Sequence, residues 1–362
     1  MQLKKLTLSG FRNIADAEIA PDGRIVCFTG DNGAGKSNML DSVHYLAMGR
    51  APSAMPDSQS VAHGGDYFMV EGEFEADSGS RQTVLCSFKR GTGKILKRNG
   101  KPYEKLSDHI GSIPLVIVSP SDYILITDAA EERRRWLDSF LSQLDKEYLA
   151  AVMRYRQVLG ERNRLLKSGS FADGSLMEVL DIQLVEAGEK IHERRGLLIG
   201  RLAPLVAEYY RLLSGDREQV ELAYRSELDG TPFAEILART AERDAALGFT
   251  ASGVHRDDMK MTIGGYPLRK YGSQGQQKSF LIALKLAQYT LLAEDKGEKP
   301  ILLLDDIFDK LDMDRVRQLM AIVSEDAFGQ IFVTDHSRER LSAILESCAK
   351  PYCIYGMSAG EI

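Results

Sequence analysis

Apolar positions along this chain switch between two periods. "KKLTLSGF" alternates, "RIVCFTG" runs apolar, and turn residues separate them, so both read as strands. In "SNMLDSVHYLAMG" Met39, Leu40, Val43, Leu46 and Ala47 fall on one helical face, and Gly49 supplies the stop. Tyr67 to Glu104 predicts an antiparallel meander, since "YFMVEGEFEA" alternates while "RGTG" and "RNGK" supply hairpin turns. From about Asp128 to Asp216 the helical period takes over, broken by a Gly/Ser-rich loop, "KSGSFADGS", Lys167 to Ser175. Strand signals return at "VELAYRSEL". "ILLLDD" and "QIFVTD" are short apolar runs flanked by helical patterns, as buried parallel strands are. The expected architecture is α/β with a mixed sheet. Residues 1–127 and 217–362 form the α/β part, and 128–216 form a mostly helical insertion.

Composition narrows the class. The 362 residues are 44% hydrophobic and 27% charged, ordinary for a globular protein, with a net charge of −6 that argues against a generally basic nucleic-acid binder. No apolar run approaches the ~20 residues that span a bilayer, and no apolar signal core follows the lysines of "MQLKKLTLSGFRN". Cys27, Cys86, Cys348 and Cys353 form no CxxC pair and no zinc spacing, and read as reduced thiols. A cytoplasmic protein with no membrane partner is expected.

"GDNGAGKS" matches the GxxxxGK(S/T) phosphate loop in full, between a strand and a helix. Gly30, Asp31, Asn32, Gly33, Ala34 and Gly35 let backbone N–H groups converge on phosphate oxygens, helped by the helix N-terminus. Lys36 reaches the β/γ-phosphates and Ser37 offers its hydroxyl to Mg2+, so ATP and magnesium are the expected cofactors. The strand "ILLLDD" ends in two carboxylates. Asp305 is assigned to the metal and Asp306 to the attacking water, although a cap or solvated turn residue would look the same at Asp306.

"YGSQGQQKSFLIALKLAQYTLL" is a glycine- and glutamine-rich loop entering a helix apolar almost all round. Ser273 and Gln276 fit a capping box for a helix from Gly275 onward. The same loop, with Gly275 at a helix start, also admits an anion. The chain's own phosphate loop already serves one nucleotide, which leaves a nucleotide held by another copy.

The order of phosphate loop, long insertion, "SQGQQ", "LLLDD", "DKLD" and "TDH" resembles an ABC-type P-loop ATPase head. The signature lies far downstream, as in SMC-like heads and unlike compact transporter subunits. "GFRN", "PSDYILITDAAEERRRWLD" (Pro120 to Asp138), "YRQVLGERNRLLK" (Tyr155 to Lys167), "SGVHRDD" (Ser252 to Asp258) and "YGSQGQQKS" together resemble the RecF family of bacterial recombination mediators, over essentially the whole chain. The insertion is too short for a long SMC coiled coil. The resemblance implies that Ser273, Gly275 and Gln276 act in trans as the signature loop and that Asp312 lies at a dimer seam. It implies further that Arg12 helps hold the nucleotide and that His336 is the switch histidine at the γ-phosphate. It implies an ATP-dependent homodimer that clasps duplex DNA near single-strand gaps and is released by slow, DNA-stimulated hydrolysis. RecR, RecO and single-strand-binding protein are the implied partners, in gap repair and replication restart. Two departures stand out: Asp306 occupies a position where many such enzymes carry Glu, and no glutamine near Pro120 fills the Q-loop role.

Two basic patches are candidate DNA contacts. From Arg81 to Lys105 there are eight Lys/Arg and one acid, Glu104, with Lys94, Lys97 and Arg98 central. Arg154 and Arg156 begin the second patch. Phosphate contacts by such groups would be salt-sensitive and sequence-independent. A solvated face explains the hairpin equally well, and the helical arginines have acids such as Glu189 and Glu193 to pair with. His255, Asp257 and Asp258 invite a metal reading, but pairing of Arg256 with a carboxylate suits "VHRDD" better. A transport-coupled ATPase subunit is the alternative function, and a non-hydrolysing scaffold a third.

Overall fold

The computed structural model describes residues 1–52, 55–127, 130–169, 174–215, 218–308, 311–346 and 350–362. In chain order the elements begin with β1 (Gln2–Phe11), β2 (Ile14–Ile19), β3 (Ile25–Thr29) and α1 (Lys36–Met48). The meander follows as β4 (Tyr67–Glu75), β5 (Arg81–Lys89), β6 (Gly93–Arg98) and β7 (Lys101–Pro102), then β8 (Leu115–Val118). Next come α2 (Ile124–Thr127), α3 (Ala130–Leu144), α4 (Lys146–Ser168), α5 (Gly174–Ser214), β9 (Val220–Arg225) and α6 (Phe233–Leu247). The chain continues through β10 (Asp258–Ile263), β11 (Tyr266–Pro267), α7 (Leu268–Tyr271) and α8 (Gln274–Lys296). It closes with β12 (Ile301–Leu304), α9 (Met313–Val323), β13 (Ile331–Asp335), α10 (Arg338–Glu346) and β14 (Tyr352–Gly356).

Packing divides the chain into two compact units. One comprises Met1–Tyr123, Leu212–Gly215 and Gln274–Ile362, the other Ile124–Arg211 and Asp216–Ser273. The first unit holds two sheets. An antiparallel one has strand order β2-β1-β4-β5-β6-β7, and a parallel one has order β14-β3-β13-β12-β8. The strands β3, β12 and β13 are buried at every position, which is why they read as unbroken apolar runs. In β4 the inward Phe68, Val70 and Phe74 alternate with more exposed residues, as one buried face requires. The face of α1 carrying Met39, Leu40, Val43, Leu46 and Ala47 joins one apolar core with Leu6, Val70 and Phe332. Turns at Arg90–Thr92 and Asn99–Gly100 connect β5 to β6 and β6 to β7, where "RGTG" and "RNGK" place them. Asn99 and Gly100 both have positive φ, as a tight hairpin demands. The helix α8 is buried through most of its length, from Gln277 to Leu292.

The second unit packs α3 to α6 with a three-stranded sheet of order β11-β10-β9. Residues 218–273 therefore belong with the helices rather than with the α/β part, where the sequence pattern puts them. The reason is a buried ionic network. Arg195 is 4% exposed; it donates to Asp138 at 2.9 Å and to Asp257 at 3.2 Å, while Arg133 meets Asp258 at 2.6 Å. The carboxylates of "VHRDD" thus take arginines from α3 and α5. Arg256 does not pair with them; it lies over the Phe249 ring, 5.8 Å from its centroid. His255 is held by the Tyr155 hydroxyl and the Thr250 carbonyl, and burial pushes its pKa down to about 4. Among the described residues no group of three or more His, Cys, Asp or Glu could hold a metal ion.

Cys27 and Cys86 are buried and Cys353 is half-buried, while Cys348 lies outside the described residues. So do Asp128, residues 170–173 of the expected loop, Asp216, and Asp309 and Lys310 of "DKLD". No described helix is long and apolar enough to cross a membrane.

Candidate nucleotide site at the carboxyl edge of the parallel sheet

Four strands converge on the candidate site. β3, β13, β12 and β8 are adjacent and parallel, with Thr29 opposite Asp335 and Leu304 opposite both Val333 and Val118. Their carboxyl ends therefore share one edge, the usual place for a ligand in such a sheet. The phosphate loop follows β3, Asp305 and Asp306 follow β12, His336 follows β13 and Ser119 follows β8.

The loop Gly30–Ser37 runs into α1 at Lys36, so the first N–H groups of the helix face it. Gly30 has φ 152°, and a Cβ there would stand 2.2 Å from the Met357 carbonyl oxygen, so no other residue fits. The segment after β14 braces the loop. Met357 N–H donates to the Thr29 carbonyl at 2.7 Å, and Gly360 N–H donates to that of Ala34 at 2.9 Å. Lys36 is 4% exposed and donates to the carbonyls of Gly30 at 2.8 Å and Asp31 at 3.0 Å.

Asp305 sits between two hydroxyls. Its Oδ1 accepts from Ser37 Oγ and from Thr334 Oγ1, both at 2.8 Å. Burial pushes its carboxyl above the usual range, against those two bonds, which favour the charged form. Thr334 also accepts from the Asp306 N–H at 2.9 Å. Asp306 has φ 45°, a left-handed conformation uncommon outside glycine. His336 is half-exposed, its Nδ1 3.6 Å from the buried Asp335, which Arg340 holds at 2.7 Å.

Arg12 lies on the turn between β1 and β2 at φ 54°. Its Nη1 meets Asp41 at 2.5 Å and Asn38 at 2.9 Å, yet its buried Nε and Nη2 have no protein acceptor. Asn13 donates to the Gly33 carbonyl at 3.1 Å and accepts from Asn38 at 2.6 Å, tying the turn to the phosphate loop.

Comparison with known proteins names the lineage. A family model described as an AAA domain matches residues 5–194. The DNA replication and repair protein RecF of Parabacteroides distasonis is 45% identical over 362 residues, covering 100% of this chain and 99% of the relative. The chain belongs to the RecF family. RecF of Bacteroides thetaiotaomicron is 41% identical, covering 100% of this chain and 98% of the relative. A solved structure described as the recombination mediator protein RecF-ATP in the RecFOR pathway matches with a TM-score of 0.88 at 29% identity, covering 99% of this chain and 96% of that one. The fold is an ABC-type P-loop ATPase head with a helical unit, and the chain is an ATPase.

Within this RecF-family chain, several residues at the site carried no sequence signal of their own. Thr334, Asn13, Asn38 and Asp41 are ordinary polar residues whose role depends on distant partners. Where a Q-loop glutamine would stand, Ser119 Oγ meets Ser121 Oγ at 2.7 Å, and Asp122 takes the Ser119 N–H at 2.8 Å and the buried Lys285 at 2.6 Å. Tyr123 hydrogen-bonds Gln277 of α8. That helix begins at Gln274, one residue earlier than the capping-box reading has it, with Gly275 and Gln276 in its first turn. Asp312 is the N-cap of α9, accepting from Arg315 N–H at 2.9 Å.

The DNA candidates separate. Lys94 is 16% exposed and committed internally, to Asp57 at 2.9 Å and to the Gly49 carbonyl at 2.7 Å. Lys97 points to the opposite sheet face from Lys94, Leu96 and Arg98, by the alternation of β6. Arg98 is exposed. In the second unit Arg154 meets Gln183 at 2.5 Å, and Arg156 meets Asp138 at 2.9 Å while remaining 64% exposed. Neither uses Glu189 or Glu193.

Proposed function

We propose that this chain is a cytoplasmic, ATP-dependent DNA-binding protein of recombinational repair and replication restart. ATP joins two copies, the dimer clasps duplex DNA near single-strand gaps, and slow DNA-stimulated hydrolysis releases it. RecR, RecO and single-strand-binding protein act beside it. The relatives' description as DNA replication and repair proteins, and that of the solved RecF-ATP structure as a mediator of the RecFOR pathway, support the setting.

The observation that carries the reading is the meeting of Ser37, Asp305 and Thr334 at the mouth of an intact phosphate loop. Residues 30–37 bind phosphate oxygens through backbone N–H groups, and Lys36 places its ammonium opposite the β/γ-phosphates. The unsatisfied Nε and Nη2 of Arg12 are buried donors that call for an acceptor, which a nucleotide supplies. The Ser37 hydroxyl and Asp305 carboxylate are hard oxygen donors in contact, a pair that fits Mg2+. Magnesium, when bound, neutralises phosphate charge. Asp306 orients the water, its uncommon backbone conformation held by Thr334. His336 stands at the same edge to meet the γ-phosphate. Ser273, Gly275 and Gln276 serve the nucleotide of the opposite copy, with Asp312 at the seam.

Purified protein tests this. Slow ATP hydrolysis should rise with gapped duplex DNA, and sedimentation should show dimers with a non-hydrolysable ATP analogue and DNA but not with ADP. A protein that stays monomeric under saturating analogue and DNA is incompatible with the composite site.

A further inference from the structure

One side chain joins the N-terminal ends of α8 and α9. Arg315 sends Nη1 to the Ser279 hydroxyl at 2.9 Å, and its Nε lies 3.2 Å from Oδ2 of Asp312, the α9 N-cap. Ser279 is buried. A Cβ built on Gly275 would come within 2.8 Å of the same Nη1, so the glycine is what lets the guanidinium lie against the start of α8.

The placement runs against helix electrostatics. Each helix N-terminus carries roughly half a positive charge, and cations are favoured at the other end. Asp312, which also pairs with Arg315, and Asp314 offset part of this for α9, but the first turn of α8 contains no acid. A fixed cation, helix N–H groups and a bare glycine therefore concentrate positive potential at one spot. That arrangement favours an incoming anion more than it favours the free helix.

We infer that Arg315 is a positioning residue for ATP hydrolysis in trans: it fixes the Gly275 end of α8 against the α9 cap and supplies the positive field that meets the γ-phosphate on a second copy. This rests on the ATP-bridged dimer proposed above. Arg315 would act on the partner's nucleotide and leave its own chain's phosphate loop untouched.

The test uses full-length Arg315→Gln, Arg315→Lys and Ser279→Ala. The glutamine variant should bind a fluorescent ATP analogue as the parent does, while DNA-stimulated turnover falls on the order of a hundredfold, the scale for misplacing a reacting geometry by about 1 Å. Lysine, which keeps the charge, should recover part of that loss. Alanine at 279, which cuts the same bond from the other side, should lose less than glutamine does, and it carries the test if the glutamine variant does not fold. Mixing then separates trans from cis. Lys36→Met supplies a sound signature and a dead phosphate loop, so adding it to Arg315→Gln should restore hydrolysis at the one site that pairs both good halves. Ser273→Arg mixed with Lys36→Met is the control. If the control mixture recovers and the Arg315→Gln mixture does not, Arg315 acts on its own nucleotide and the inference is overturned while the dimer reading stands. If neither recovers, the composite site fails and takes the inference with it. Parental turnover in Arg315→Gln, or ATP binding lost in step with turnover, also overturns it.

Discussion

The Ser37 hydroxyl donates to Asp305 Oδ1 at 2.8 Å across 268 residues of sequence. Thr334, fully buried, completes the arrangement by donating to the same oxygen and accepting from Asp306 N–H. Thr334→Val keeps the shape but removes the hydroxyl, so the half-buried Asp306 N–H loses its acceptor and Asp305 loses a donor. The expected loss is about 1–3 kcal/mol of stability, with slower turnover at parental ATP affinity. Urea unfolding and steady-state kinetics of the valine variant check this, and unchanged values in both would remove Thr334 from the site.

Asp306→Asn should keep ATP-driven association and block hydrolysis. Asn tolerates the left-handed backbone as Asp does, so the φ of 45° gives no reason for misfolding. Only the negative charge and one acceptor oxygen are lost. Turnover should drop by about a hundredfold or more, read by phosphate release beside sedimentation with ATP. Undiminished turnover would move the water-positioning role elsewhere.

Asp41 supplies a pH signature. Burial pushes its carboxyl up to about 6; the Arg12 guanidinium opposes this and the nearby Asp305 charge adds to it. The unfolded value is about 4. Between those values the folded chain holds a proton that the unfolded chain has released, so this group's contribution falls as pH rises through the window. Asp41→Asn abolishes that dependence. From pH ~4.5 to ~7 the wild type should lose about 2 kcal/mol relative to the variant, measured by urea unfolding without nucleotide or magnesium. A pH-independent difference would show that Asp41 is not buried as described.

The basic hairpin should divide by residue. Lys97→Glu with Arg98→Glu is expected to weaken duplex binding and flatten its salt dependence, with thermal stability nearly unchanged. Lys94→Glu should instead destabilise the first unit by about 3–5 kcal/mol, because it strands Asp57 beside a like charge. Asp57 also accepts from the buried Tyr45 hydroxyl of α1, so the damage reaches the helix that starts at the phosphate loop. Fluorescence anisotropy across a salt series, paired with melting curves, distinguishes the two. Equal DNA affinity in the Lys97/Arg98 variant would make both positions merely solvated.

What the sequence determined by itself was everything whose cause is local. The phosphate loop is eight contiguous residues whose glycines, lysine and serine act through neighbouring backbone. The turns around Gly91 and Asn99–Gly100 follow from residues that accept positive φ. The all-round apolar pattern of α8 was enough to mark it as buried. Tertiary structure decided what depends on distant partners. Asp305 shares its oxygen between Ser37 and Thr334 because parallel strands align their carboxyl ends, and no spacing along the chain encodes that alignment. Lys94 and Lys97 look alike in a basic stretch, yet strand alternation and the position of Asp57 turn one inward. Residues 218–273 read as a return to the α/β part, because strand periodicity does not say which sheet a strand joins. Arg133 and Arg195, from two helices, meet the carboxylates of Asp258 and Asp257 and hold that stretch in the helical unit.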